Sequence, residues 1–468
     1  MKKVLLFFIL VAITFMIAYC QNNQKQAKVG KFCKQFPNGH GYFCAQGTTA
    51  ADSFLCPFLP RDIDVHTPDA YHSFDPECQF PFNWFSWQTF IALNWPANSD
   101  GTPIGTDINA SPDAPRVWET YNDPDEIFGV KTKVLGDLPI LGSVSKAGFH
   151  HFDSITVGHN TFFEAFASPL IDRNLNFTLY EIRVNPVEVK YIKDNGLNTY
   201  AGQSKFKGPV NFPSGSYPNS IGSMEIKVAW RILVPGVDNF ERYFHRMAII
   251  HVDKSGVIGG KSTINDTVTV GMVGMHIIRK VKNNGAFWIW STFEHVDNAP
   301  DDSTSRKNYS FYNPDCTKCK LNSPPIDPTP RHPFKWSLSN GTNPQYARTY
   351  ATDGMYGTQV YRVHPIESSA SEATQQWQAK LTAEKSVWQY YKLIGSQWGV
   401  ATETFPSQKL GVPLVQSNTV AETYFQATGS CFNCHLSSAY TSTSSGDTAI
   451  LADFSFLLGI PAPPSTKK

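Results

Sequence analysis

Six stretches between residues 154 and 296 are rich in β-branched and aromatic residues at partly alternating positions, and they narrow the folds open to this chain. They are SITVGHNTFFEAF (154 to 166), NFTLYEIRV (176 to 184), SMEIKVAWRIL (223 to 233), YFHRMAIIHV (243 to 252), TVTVGMVGMHIIRKV (267 to 281) and AFWIWSTFEHV (286 to 296). Strands of this kind satisfy their backbones only by pairing, so the middle of the chain must build a large, mostly antiparallel sheet or a sandwich.

Helices flank this core. NWFSWQTFIALNW (83 to 95) brings Trp84, Trp87, Gln88, Ile91 and Trp95 to one face, with Pro96 as its stop, and reads as a buried amphipathic helix. Asn185, Pro186 and Gly196 are the cap, first residue and stop of a shorter one. Residues 368 to 398 carry Trp377, Leu381, Val387, Trp388, Tyr391, Leu393 and Ile394 on a broad stripe closed by Gly395, which reads as a long helix. Residues 418 to 428 read as a second one, with Glu422 in its first turn. From Asn298 to Pro344 the Pro, Asn and Asp content predicts an irregular excursion. The fold class expected is α+β.

The chain opens with Lys2 and Lys3 before an apolar run from Val4 to Ala18, the pattern of a signal peptide over residues 1–20. The run falls short of the roughly 20 residues that span a membrane. Two readings of its end stay open: a lipobox with lipid on Cys20, against which the bulk of Tyr19 counts, or plain cleavage after Cys20. The expected location is the periplasm or outer cell envelope, with a lipid anchor as the only membrane contact. With 40 basic and 39 acidic residues well mixed, no block suggests nucleic acid. Nine cysteines, an odd number, fit one used at position 20. The simplest local pairing joins Cys33 to Cys44, Cys56 to Cys78 and Cys316 to Cys319, one of 15 ways to connect six.

That leaves Cys431-Phe-Asn-Cys434-His435, with 33 residues behind it. The spacing is that of covalent haem c attachment: two thiols add to the two vinyl groups on one porphyrin edge, and the adjacent imidazole binds iron from below. A short disulfide, or half a zinc site completed by Cys316 and Cys319, are the bland alternatives. Cys316-Thr-Lys-Cys319-Lys320 has the same thiol spacing without the histidine and cannot be a second haem site.

A small cytochrome domain supplies its distal Met or His after the motif, but neither residue occurs beyond His435. The distal face is therefore open or filled from upstream, where Met355, Met272, Met275, His276, His295, His364 and the pair His150 and His151 are available. His276 is the candidate second iron ligand, because Gly271 and Gly274 beside it let something approach the strand closely. The run Ile450 to Leu458 is expected to return over one haem face, and Glu294 and His295 are candidates for proton transfer if they line the pocket. No nucleophile elbow, phosphate-cradling loop or His-Glu-x-x-His pair is present.

The stretches WQTFIALNWP, GMVGMHI, WSTFEHVDN, TQVYRVHPI, YYKLIGSQW, NTVAETYFQ, SCFNCH and DFSFLL together resemble a family of large exported bacterial proteins described as cytochrome c family proteins, each with one haem-binding motif near its C-terminus. The resemblance runs from about residue 80 to 460. It implies haem attachment at Cys431 and Cys434 and proximal ligation by His435, and it implies no reaction. The organisation expected is a signal peptide (1–20), a polar tether and Cys-rich loop segment (21–79), a β-rich core (80–367) and a helical haem c-binding segment (368–468) packed on it. The function expected is one-electron transfer through a single covalent haem c with a protein redox partner. A haem redox enzyme of peroxidase or oxygenase type with an open distal site is the alternative. An exported, disulfide-stapled binding protein without haem is the second alternative.

Overall fold

The computed structural model describes residues 55–63, 79–129, 149–153, 170–174, 176–216, 220–253, 263–282, 288–317, 319–324, 334–336, 347–349, 357–399, 411–442 and 448–459. The expected strand at 154 to 166, the signal peptide, and the Cys33–Cys44 and Cys78 pairings lie outside these residues.

One eight-stranded sheet organises the fold. Its strands are β1 (Phe149–Asp153), β2 (Leu179–Val184), β3 (Met224–Ile232), β4 (His245–Asp253), β5 (Thr263–Lys280) and β6 (Trp288–His295). Two pairs of three- and four-residue strands, Phe334–Trp336 with Ala347–Thr349 (β7, β8) and Ala439–Ser442 with Thr448–Leu451 (β11, β12), lie apart. The last two strands of the large sheet are β9 (Tyr391–Gly399) and β10 (Gly411–Val412). β5 is the spine: β4 pairs with its first half, β6 with its second, and β3 runs along residues 270–279. Every large-sheet pairing is antiparallel except β1 with β4. The mostly antiparallel sheet with flanking helices is the α+β class that the strand pattern demanded.

Alternation sorts the sheet's two faces. On one, Met224, Ile226, Val228, Trp230, Met275, Ile277, Phe293 and Leu393 pack against α1 (Gln79–Leu93) and α3 (Ser368–Ala383), with Trp87, Phe90 and Trp377 fully buried between them. Each such aromatic removes enough apolar surface from water to contribute roughly 2–3 kcal/mol. α1 is buried on all sides except at Phe80, so the expected amphipathic helix is in fact a central one. The helix α2 (Pro186–Asp194) covers part of the opposite face, and it starts as expected: Asn185 Oδ1 accepts from Glu188 N at 3.1 Å, and Gly196 turns left-handed behind it.

The long helix expected over 368 to 398 is half right. α3 ends at Ala383, and Tyr391–Gly399 is β9, paired with β6 through the middle of the sheet. The apolar stripe was a helix followed by a fully buried strand, which a periodicity window cannot separate. Residues 418–428 form successive turns rather than the second helix. The C-terminal segment is therefore mixed in structure, not helical.

Candidate functional site

On the second face of the sheet, β5 presents Gly274, His276, Ile278 and Lys280 in a row at every other position. The C-terminal segment meets each of them. Val420 presses on Gly274, where an added Cβ would lie 2.6 Å from its Cγ2. Glu422 Oε2 lies 3.6 Å from His276 Nε2. Ile278 shares a cluster with Trp290 and Phe432, and Lys280 Nζ bonds Asp453 Oδ2 at 2.5 Å. The two glycines thus admit protein: Val420 at Gly274, and Leu233 at 2.9 Å from the Cβ position of Gly271.

Cys431 to His435 form a one-turn helix, α4, seated on this face. Ser430 Oγ accepts from Asn433 N at 3.3 Å, and Gln397 Oε1, from β9, accepts from Phe432 N at 2.7 Å. Phe432 is fully buried between Trp290 and Phe454, at centroid distances of 5.5 and 5.2 Å. This buried ring fixes the helix while its two neighbouring thiols stay at the rim: Cys434 is exposed, Cys431 is partly so, and both are free. Burial and the nearby Glu422 carboxylate push both thiols above their ordinary range. Cys316 and Cys319, at the same spacing, are joined to each other, so they complete no zinc site. Cys56 is also disulfide-bonded.

His435 Nδ1 lies 2.7 Å from the carbonyl oxygen of Phe454. A carbonyl only accepts, so Nδ1 carries the proton and Nε2 keeps its lone pair. Burial lowers the imidazole to about 4, which keeps it neutral. The rings of Trp290 and Phe456 stand 5.9 and 5.0 Å away, and Phe456 is 48% exposed. The run Ile450 to Leu458 does return to the motif, chiefly through Phe454 and Phe456.

His276 reaches the same neighbourhood. It and Lys227, paired with it across β3 and β5, both lie near enough to His435 to disfavour protonation of that imidazole. Its Nε2 is buried without a hydrogen bond, burial lowers it to about 3, and Glu422 is raised to about 7, again chiefly by burial. His276 therefore offers a neutral nitrogen that faces a carboxylate beyond hydrogen-bond range.

Of the remaining candidates only Glu294 comes near the site. Met272 and Met275 lie in the core under α1 and α3. His364 Nε2 pairs with Ala427 O at 3.0 Å. Glu294 is consumed by Arg362 and by the backbone of Thr419, both at 2.6 Å, while His295 bridges Arg242 O and Asp297 N. Glu294 thus borders the site, opposite Gly274 on β5 and close enough to act on His276 and Glu422, but with both oxygens engaged, while His295 is structural. Met355 and the side chains of His150 and His151 lie outside the described residues. Sequence reasoning missed Lys227 and Lys280 altogether, and it held Asp453 and Phe454 only as members of the returning run Ile450 to Leu458. The alternation of β5 holds the one signal for Lys280, four residues beyond His276 on the same face.

These residues fit a haem: two free thiols on one turn, an imidazole with a fixed tautomer, and a second buried imidazole nitrogen without a partner. Among the described residues no three His, Cys, Asp or Glu side chains converge to hold a metal by themselves, and no helix is long and apolar enough to cross a membrane. A cleft of about 520 Å³ lined by Phe58, Arg61, Asp100, Tyr121 and Val187 shares no residue with the motif. Comparison with known proteins finds no matching family model, no matching curated protein and no matching solved structure.

Proposed function

We propose that this chain is a large monohaem c-type cytochrome, resembling the exported bacterial cytochrome c family proteins, that transfers single electrons to or from a protein partner. The observation that carries the reading is the His435 Nδ1 hydrogen bond to Phe454 O at 2.7 Å, which leaves Nε2 with the lone pair that iron needs. Haem iron supplies a one-electron couple when bound. The chain's own part is to tether it through Cys431 and Cys434, ligate it through His435, and bring His276 as the second axial candidate. Of the helical haem c-binding segment expected over 368–468, α3 and the single turn α4 are α-helical, and α4 carries the motif on the sheet. The free state of Cys431 and Cys434, beside the joined Cys316 and Cys319, weighs against a terminal disulfide. The disulfides support export to an oxidising compartment, by way of residues 1–20.

A haem redox enzyme is the second reading, favoured by the contact of His276 with Glu422 at 3.6 Å. There His276 Nε2 takes a substrate proton, Glu422 steadies the resulting cation, and Lys227 offers positive charge to a departing anion.

The test is the absorption spectrum of protein produced with a cytochrome c maturation system, oxidised and reduced, with and without carbon monoxide. A haem spectrum unmoved by carbon monoxide supports the electron carrier. A prompt shift supports the enzyme, and absence of haem sinks both.

A further inference from the structure

Asp453 and Phe454 are consecutive, neither is glycine, and both adopt left-handed backbone, with φ of 49° and 67°. A side-chain-bearing residue resists that conformation, and two in succession persist only where surrounding contacts over-determine them. The contacts are present. Asp453 Oδ2 accepts from Phe212 N at 2.7 Å and from Lys280 Nζ at 2.5 Å, and the Lys280 side chain is only 2% exposed. Lys280 also donates to Asn211 Oδ1 at 2.7 Å. On either side of the turn, Ala452 N bonds Ser438 O at 3.0 Å and Leu458 O accepts from Gln203 Nε2 at 2.8 Å. The ring of Phe454 packs on Phe432 and Trp290, but ring contacts do not fix the direction of its carbonyl. The peptide geometry set at Asp453 does, and that carbonyl is the one that holds His435.

We infer that Lys280 and Asp453 are positioning residues for the iron ligand: their buried ion pair holds the left-handed turn that aims the Phe454 carbonyl at His435 Nδ1. The inference rests on the reading that His435 ligates iron, and it names what sets the strength of that ligand. A short Nδ1 hydrogen bond makes Nε2 a stronger donor and favours ferric iron, and a slack one favours ferrous. Because Lys280 stands on β5 in the same row as His276, a single strand places both candidate ligands.

The experiment compares midpoint potentials of the full-length haem-loaded protein with those of Lys280→Met, Asp453→Asn and Lys280→Arg. Both neutralising variants are expected to shift the ferric/ferrous equilibrium toward ferrous, by roughly threefold to tenfold, although one removes a positive and the other a negative charge. Lys280→Arg, which keeps the ion pair, is expected to restore most of the wild-type value. Shifts of opposite sign would mean plain charge effects and would overturn the proposal, as would unchanged potentials with haem attached. If a single variant fails to fold, Lys280→Met combined with Asp453→Leu replaces the pair by apolar groups, and it is expected to shift toward ferrous as the single variants do. A wild-type protein that takes up no haem overturns the underlying reading and the proposal with it.

Discussion

A Cβ added to Gly399 would stand 2.3 Å from Cε2 of Phe432, so β9 carries a glycine where the motif helix drives its one buried ring into the sheet. Gly399→Ala is therefore expected to destabilise the protein by about 1–3 kcal/mol through overpacking. Because the displaced ring lies between the two thiols in sequence, haem attachment should fall with it. Thermal melts and the haem-to-protein absorbance ratio check this, and an unchanged melting temperature would show that Phe432 yields without cost.

Gln397 has a role out of proportion to its chemistry. Its Oε1 accepts the buried Phe432 N–H at 2.7 Å, and its Nε2 donates to Pro413 O. Gln397→Ala strands that N–H, a loss of about 1–3 kcal/mol for an unsatisfied buried donor. Gln397→Glu, which retains the acceptor, should lose less of the α4 geometry, as read by haem incorporation.

His276→Ala separates the two functional readings a second time. In the electron carrier it opens the iron, so carbon monoxide binds where it did not before. In the enzyme the iron was already open, and the variant instead loses turnover with little change in the carbon monoxide spectrum. Neither change at all would remove His276 from the site.

His295 offers a pH prediction away from the motif. Burial lowers it to about 4 from an ordinary 6.5, partly offset by Asp297, while Arg242 and Arg231 push the same way as burial. Above 6.5 the imidazole is neutral in both folded and unfolded chains, and its contribution is complete. As pH falls below 6.5 the unfolded chain takes up the proton first, so stability declines down to about 4 and levels off below it. The loss should be on the order of 3 kcal/mol. His295→Gln is expected to flatten that part of the pH profile of chemical denaturation, and a slope identical to wild type would refute the assignment.

Legibility followed the range of the interactions involved. Five of the six strand stretches fall in strands, because β-branched alternation is local. The Asn185-to-Gly196 helix could be read for the same reason, since its cap and stop lie within its own dozen residues. The segment 384–399 could not be read, because a strand buried on both faces has the same apolar density as a helix stripe. At the site, the grouping of Cys431, Cys434 and His435 was legible from their five-residue spacing. The bond from His435 to Phe454 was not, because it is made to a backbone carbonyl that every residue possesses.

By itself the sequence determined the sheet-forming character of residues 176–296 and the candidate haem chemistry of residues 431–435, since both depend on spacings a few residues long. Only the tertiary structure decided which face of β5 receives the motif and that His276, Glu422 and Lys227 gather beside it. It also decided that a left-handed turn clamped by Lys280 fixes the His435 tautomer. Those relations join residues 19 to 208 positions apart in the chain, and they exist only once burial has removed water as a competing partner.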